Sequence, residues 1–361
     1  MKKPLEKLTI EGFKSIRELK DFKLSNLNLI IGGNGAGKSN FIEFFRMLSA
    51  MMKKDGLKEF IAKNGGADSF LFGGPKTSSK IYVDMSFGLN GYEFELAPTD
   101  DGYFLVNREY RHFHGFPFPK NLGNGNFNPV LPNDVEEGNA SWHTYEAITS
   151  WKIYHFHDTS KESGMRRGQD INHNEKLYTD GSNIAAFLYM LREKHPKSYQ
   201  DIIDAITLVI PFFDDFILTI NFDDKIKLDW RQKGLRDFPM RPTHLSDGSI
   251  RFICLATALL QPDPPSTIII DEPELGLHPA AIEILAELIQ ASSNRTQIII
   301  STQSPALIDH FSIEDIIVVN RENGASIFKR LEEKDFKIWL ESYSIGELWS
   351  KDIISGSPVY E

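Results

Sequence analysis

Residues 32–39, Gly32-Gly33-Asn34-Gly35-Ala36-Gly37-Lys38-Ser39, constrain the fold of this chain more than any other stretch. They match the spacing G-x-x-x-x-G-K-S, in which glycines let backbone N–H groups wrap a phosphate while a lysine and a hydroxyl follow at fixed offsets. Such a loop needs a buried strand before it and a helix after it, because the helix N-terminus adds its dipole to the binding of the anion. Both flanks are present. The apolar run LNLII at 27–31 leads in, and from Asn40 to about residue 54 Phe41, Phe44, Phe45, Leu48 and Met52 recur at helical spacing. The pattern predicts half of an α/β nucleotide-binding unit, with Lys38 bridging β- and γ-phosphates and Ser39 holding Mg²⁺.

A second signal is the fully apolar run at 267–270 that ends in Asp271-Glu272-Pro273. Ligands of open α/β sheets bind beyond the carboxyl ends of strands, so Asp271 is expected at the metal and Glu272 at the attacking water as general base. Alone, the string would read equally as an acidic turn at a helix start; its partnership with 32–39 decides the matter. The third, Leu245-Ser246-Asp247-Gly248-Ser249, stands before an apolar helix. It offers a hydroxyl, free N–H groups and a dipole to an anion, and it also reads as a simple N-cap.

The rest of the chain supplies the scaffold. Residues 8–31 read as strand, charged turn, strand; 80–96 as a hairpin about an Asn-Gly turn; and 107–141, rich in Gly, Asn, Pro and aromatics, as a long loop or surface lid. A helical stretch at 181–209 breaks at Pro196, and a strand pair is expected at 216–230. Then follow a helix at 248–260, a strand at 267–271, a helix at 279–291 and strands at 297–301 and 315–320. This alternation implies a parallel sheet covered by helices. The 361 residues show no sustained heptads, so no long coiled-coil arm is expected.

Composition excludes several classes. No apolar run nears the roughly 18 residues that span a bilayer, and the start MKKPLEKLTIEGF lacks a continuous apolar stretch, so a cytoplasmic protein without membrane contact is expected. Forty Lys+Arg against fifty Asp+Glu give a charge of −10, so the surface as a whole does not suit nucleic acid. Local basic groups, at Lys2, Lys3, Lys7, Lys14, Arg17, Lys20 and Lys23 and at Lys225, Lys227, Arg231, Lys233, Arg236 and Arg241, read as solvated strand faces or as a DNA contact. The pairs His112/His114 and His155/His157 read as aromatic packing or as metal chelation. Cys254, in FICLATALL, reads as a small buried hydrophobe.

GGNGAGKS, LSDGS, IIIDEP and the STQSP segment at 301–305 resemble the phosphate loop, signature, Walker B strand and switch of ABC-type ATPases, in the branch of the RecF, SMC and OLD-like proteins. GFKSI, LYTDGSNIAAFL, LSDGSIRFICLATALL, DEPELGLHP and YSIGELW further resemble bacterial predicted ATPases of the short, stand-alone AAA/ABC-like type, over about residues 5 to 358 and most weakly at 100–150. The resemblance implies one ABC-type P-loop NTPase head of α/β class over 1–361. Its parts would be an N-terminal β lobe at 1–99, a lid or helical insertion at 100–244, a lobe at 245–330 with signature, Walker B and switch, and a tail at 331–361. It implies ATP and Mg²⁺ as ligands, contacts to nucleotide from Gly32 through Asn40 and from Lys14 and Ser15, metal held by Ser39 and Asp271, and catalysis by Glu272, Lys38 and Gln303. It also implies a head-to-tail homodimer in which Ser246, Asp247 and Gly248 reach the partner's nucleotide. The tail is too short for a nuclease, so an effector in phage defence or DNA repair would be separately encoded, with DNA as a further partner. The alternative is a RecF-like DNA-binding repair or loading factor; a transporter motor fits least.

Three departures stand out. Asp247 replaces a common glycine, so its repulsion from phosphate must be met by geometry or a nearby cation. Gln303 stands for the switch histidine and stays neutral where imidazole titrates. No glutamine occurs between Ser39 and Gly168, so the Q-loop residue is missing and its substitute is expected near Phe72–Pro75.

Overall fold

The structure is a computed structural model that describes residues 3–116, 118–235 and 237–354. Lys2 and Arg236 of the basic groups, and the tail beyond 354, lie outside the described residues.

The chain opens with the antiparallel pair β1 (Lys7–Phe13) and β2 (Ile16–Lys23), followed by β3 (Leu27–Ile31), α1 (Lys38–Met51) and α2 (Gly56–Lys63). An antiparallel meander follows, of β4 (Ile81–Phe87), β5 (Asn90–Pro98), β6 (Phe104–Phe113) and β7 (Lys120–Gly123), and then α3 (Ala140–Ser150). The middle holds β8 (Lys152–Tyr154), β9 (Gln169–Asp170), α4 (Ile184–Lys194), α5 (Pro196–Val209), β10 (Phe213–Ile217), β11 (Lys225–Ile226) and β12 (Asp229–Gln232). The last third runs α6 (Asp247–Leu260), β13 (Thr267–Asp271), α7 (Pro279–Ser293), β14 (Gln297–Thr302), α8 (Pro305–Ile308), β15 (Ile316–Glu322), β16 (Ala325–Arg330), α9 (Glu333–Leu340) and α10 (Ile345–Ser350). Among the described residues the longest helix is α7, with 15 residues, so the head carries no coiled-coil arm there.

Two six-stranded sheets organise the molecule. The first, β2-β1-β4-β5-β6-β7, is antiparallel; the second, β16-β15-β3-β14-β13-β8, is parallel except for the edge strand β16. The parallel sheet is buried on both faces, which explains why its strands are runs of isoleucine without polar alternation. In β13, Ile268 and Ile270 enter the core built with α4 to α7, while Ile269 enters the core shared with α1 and the antiparallel sheet. Helix α1 lies between the sheets. Its Phe41, Phe44 and Phe45 are fully buried and meet edge to face, at 5.3 Å for Phe41–Phe45 and 5.6 Å for Phe44–Phe45. Each such ring contributes about 1.5–3 kcal/mol from burial.

The structure alters several sequence expectations. The charged stretch after β1 is strand β2, an edge whose outward positions carry the charges that discourage further pairing. The hairpin at 80–96 turns on Gly88-Leu89, where Gly88 has φ +66°, and Asn90 pairs with Phe87 inside the ladder. The region expected as lid does not stand apart from the lobes. Strands β6 and β7 extend the antiparallel sheet across the expected boundary at 99/100, and β8 forms the edge of the parallel sheet beside β13. Only one face of β6 is buried and its pairing with β5 slips at Glu95/Leu96, so FLVNREYRHF shows little alternation. Strand β16 also went unforeseen. It returns from β15 through Asn323-Gly324, both with positive φ, the backbone that suits a tight hairpin.

Glu109 fastens 130–131 to this sheet. Its fully buried carboxylate accepts from Tyr92 Oη (2.8 Å), Val130 N (2.7 Å) and Leu131 N (2.8 Å); burial pushes its pKa up and these bonds draw it back. Glu109→Ala should cost roughly 3 kcal/mol in urea unfolding, because two buried donors and one part-buried donor lose their acceptor. Glu109→Gln should cost less but not nothing, since its amide nitrogen then faces the Val130 N–H. An alanine variant within about 0.5 kcal/mol of the parent would reject this role.

Candidate nucleotide site

The site forms where β3, β14 and β13 end at one edge of the parallel sheet. The ladder places Asp271 beside Ser301 and Ser301 beside Ile30, so the Asp271 carboxylate and the glycine-rich loop emerge level. A cleft of about 180 Å³ lies there, lined by Gly33 to Gly35 and Gly37 to Asn40 of the loop, by Asp271 and Glu272, and by Ser301 and Gln303. Sequence reasoning brought most of these residues together; Ser301 is an addition.

Lys38 is buried, and its ammonium donates to Gly32 O (2.5 Å) and Gly33 O (3.2 Å) across its own loop. Burial lowers its pKa, and Glu272, Asp271 and Glu274 pull it back up. Gly37, at φ +117°, starts α1, and a Cβ there would stand 2.0 Å from Ser326 Oγ. Only glycine fits. Ser326, on β16, donates to Ala36 O (2.5 Å) and accepts from the Ser15 hydroxyl (2.7 Å), which in turn accepts from Asn40 Nδ2 (2.7 Å). Gly32, Ala36 and Ser15 thus brace the loop from behind the cleft. Lys14 turns away, paired with Glu43 at 2.5 Å and over the Phe70 ring at 4.5 Å.

Glu272 occupies left-handed backbone at φ 45°, uncommon for a residue with a side chain and characteristic of functional turns. Its N–H donates to Ser301 O (2.8 Å), and its Oε1 accepts from Gln303 Nε2 (2.8 Å). Behind it, Glu274 Oε1 accepts from Thr302 Oγ1 (2.5 Å) while Oε2 is buried without a partner, and burial raises the pKa of this carboxyl. Glu274 therefore ties the turn after β13 to the end of β14; its place after Pro273 in the DEPE string was the only sequence signal for it.

The expected Q-loop substitute at Phe72–Pro75 is not at the cleft. The Phe72 N–H donates to Gly12 O (2.9 Å) and its ring lies 4.9 Å from the Arg17 guanidinium carbon. The exit of β8 is nearer, because β8 runs parallel beside β13 and delivers His157 into the field of Asp271 and Glu272. Burial and Arg251 lower the His157 pKa, against the pull of the two carboxylates. The missing signal was β8 itself, three residues long.

Ser246, Asp247 and Gly248 do not line the cleft of their own chain. Ser246 caps α6, accepting from the Ser249 N–H (3.1 Å), and stands exposed with Asp247. A Cβ on Gly248 would fall 2.3 Å from Gly276 O, so the motif needs glycine to pack against the turn after Walker B.

Among the described residues no group of three or more His, Cys, Asp or Glu is placed to hold a metal. His112 instead pairs with Glu93 at 2.9 Å. Of the basic groups that the structure describes, four are ion-paired: Lys7 with Asp21, Lys14 with Glu43, Lys20 with Glu11 and Glu18, and Arg231 with Asp214 and Asp215. Cys254 is buried, which raises its thiol pKa far above the ordinary range. Among the described residues no helix is long and apolar enough to cross a membrane.

Residues 27–309 match the family model described as AAA domain, putative AbiEii toxin, Type IV TA system. The chain belongs to this AAA family. The AAA chain also shares the fold of solved SMC heads. It resembles the SMC head domain from Thermotoga maritima at 16% identity, covering 91% of this chain and 99% of that one with a TM-score of 0.52. It resembles an SmcHead bound to the C-winged helix domain of ScpA at 18%, with 92% and 99% covered and a TM-score of 0.60. A third likeness is to the Smc head domain with an extended coiled coil bound to the C-terminal domain of ScpA, derived from Pyrococcus furiosus, at 16%, with 94% and 99% covered and a TM-score of 0.57. No curated protein matches the AAA chain. Its fold is that of an ABC-type ATPase head related to the SMC type.

Proposed function

We propose that this nucleotide-binding head hydrolyses ATP and works as a nucleotide-driven dimer switch. The observation that carries the reading is the cleft in which Lys38, Asp271, Glu272 and Gln303 converge at the ends of three parallel strands. The hydroxyl of Ser39 and the carboxylate of Asp271 suit a hard cation, and Ser301 Oγ beside them is buried without a partner. Mg²⁺ held there would neutralise charge on the β- and γ-phosphates.

The chain's own groups divide the remaining work. Lys38 neutralises phosphate oxygens, the loop amides orient them, and Glu272 takes up the proton of the attacking water. The Gln303 amide holds that carboxylate in place and remains uncharged through neutral pH. Ser246 lies outside this cleft, which supports its use on the nucleotide of a second chain. The output is control of DNA or of a partner effector, whose state follows the dimer.

ATP added to Glu272→Gln should give a dimer in light scattering, and ADP a monomer or looser assembly. A mass independent of nucleotide would reject the switch. ATPase activity that rises with DNA, in a salt-sensitive manner, would favour the RecF-like alternative.

A further inference from the structure

The signature turn carries a carboxylate where a phosphate is expected to arrive, and the structure supplies a cation for it. Arg166 lies on the connection between β8 and β9, far from the signature in sequence, with its side chain only 5% exposed. Its Nε donates to Thr159 O (2.9 Å), and Nη1 donates to Pro242 O (2.5 Å) and Leu245 O (3.0 Å). Its Nη2 donates to Asp247 Oδ1 at 2.9 Å. Three of the four acceptors are neutral carbonyls. Among the described residues Asp247 is the one carboxylate in an ion pair with this guanidinium.

The two ends of the pair are unequal. Arg166 is held rigidly inside the protein, whereas the Asp247 side chain is 72% exposed on the first turn of α6. A fixed buried cation therefore draws one carboxylate oxygen back toward its own chain, beside the exposed Ser246. Through Pro242 and Leu245 the same side chain also sets the backbone that enters α6. We propose that Arg166 is a positioning residue for the partner's nucleotide: it offsets the charge of Asp247 and holds the Leu245-Ser246 entry so that the hydroxyl and helix N-terminus meet an anion. The proposal rests on the composite-site reading above.

The experiment compares Arg166→Met, Asp247→Asn, the double variant and Ser246→Arg, all in the Glu272→Gln background. Binding of a fluorescent ATP analogue at low protein concentration reports the chain's own cleft; light scattering with ATP reports the dimer. Arg166→Met should weaken ATP-dependent dimerisation at least tenfold while own-cleft affinity stays within about twofold, and adding Asp247→Asn should restore most of the loss. Asp247→Asn alone should dimerise at least as tightly as the parent, since the cation then faces phosphate without its counter-charge. This arm stands even when Arg166→Met fails to fold, because Asp247 is exposed. A double variant no better than Arg166→Met, or an Asp247→Asn dimer weakened tenfold, overturns the charge-balancing role. Ser246→Arg should not dimerise with ATP; a normal dimer would instead remove the composite-site reading on which the proposal stands.

Discussion

Lys38→Ala should lose nucleotide affinity, and Glu272→Gln should keep affinity while losing turnover. The lysine ammonium sits among the carbonyls of Gly32 and Gly33 and the field of Asp271 and Glu272, where a phosphate adds the charge-assisted bonds that a carbonyl cannot match. Removing it should raise the ATP dissociation constant at least tenfold, roughly 1.4 kcal/mol or more, by isothermal calorimetry. Glu272→Gln leaves an amide oxygen to accept from Gln303 Nε2, so the turn keeps its shape and only the proton acceptor disappears. Loss of a general base slows turnover by about 10²–10⁴-fold. Normal turnover in Glu272→Gln would reject the base, and unchanged affinity in Lys38→Ala would reject the phosphate contact.

A mixture of two dead chains should recover activity. Ser246→Arg places a long cation at the exposed cap of α6, outside its own cleft, and is expected to block the site it completes in a partner. Lys38→Ala damages the cleft itself. In a head-to-tail dimer of the two, one site carries both lesions and the other carries an intact Lys38 facing an intact Ser246. Each mixed dimer has one sound site of two and neither homodimer has any, so up to half of the parent turnover per mixed dimer is expected if sites fire independently. Zero activity with mixed dimers demonstrated by crosslinking would mean either that both sites must act together or that the composite geometry is wrong. A fully active Ser246→Arg chain would end the composite geometry.

The legible part of this site was the part set by local chemistry. GGNGAGKS announces its loop because only glycines suit the backbone and close approach around Gly37, and TIIIDEP announces its strand because a sheet buried on both faces excludes polar residues until it ends. The supports were illegible for the converse reason. Ser326, Glu274, His157 and Arg166 are polar residues in ordinary local strings, and what they do depends on a strand or turn brought to them from elsewhere in the chain. Even Asp247, which called for a nearby cation, named no residue. Arg166 is 81 positions away.

The sequence by itself therefore determined an α/β head with a phosphate loop, a carboxylate-ended strand and a capped helix, in that order, since each of these is dictated by spacing over a few residues. Tertiary structure alone decided which strands neighbour one another. It carried β6 and β7 into the antiparallel sheet and β8 to the edge beside β13, set Gln303 against Glu272, and turned Lys14 away toward Glu43. The reason is physical: turns, caps and apolar runs are chosen by neighbouring backbone, whereas sheet order and buried polar pairing are chosen by which distant surfaces exclude water together.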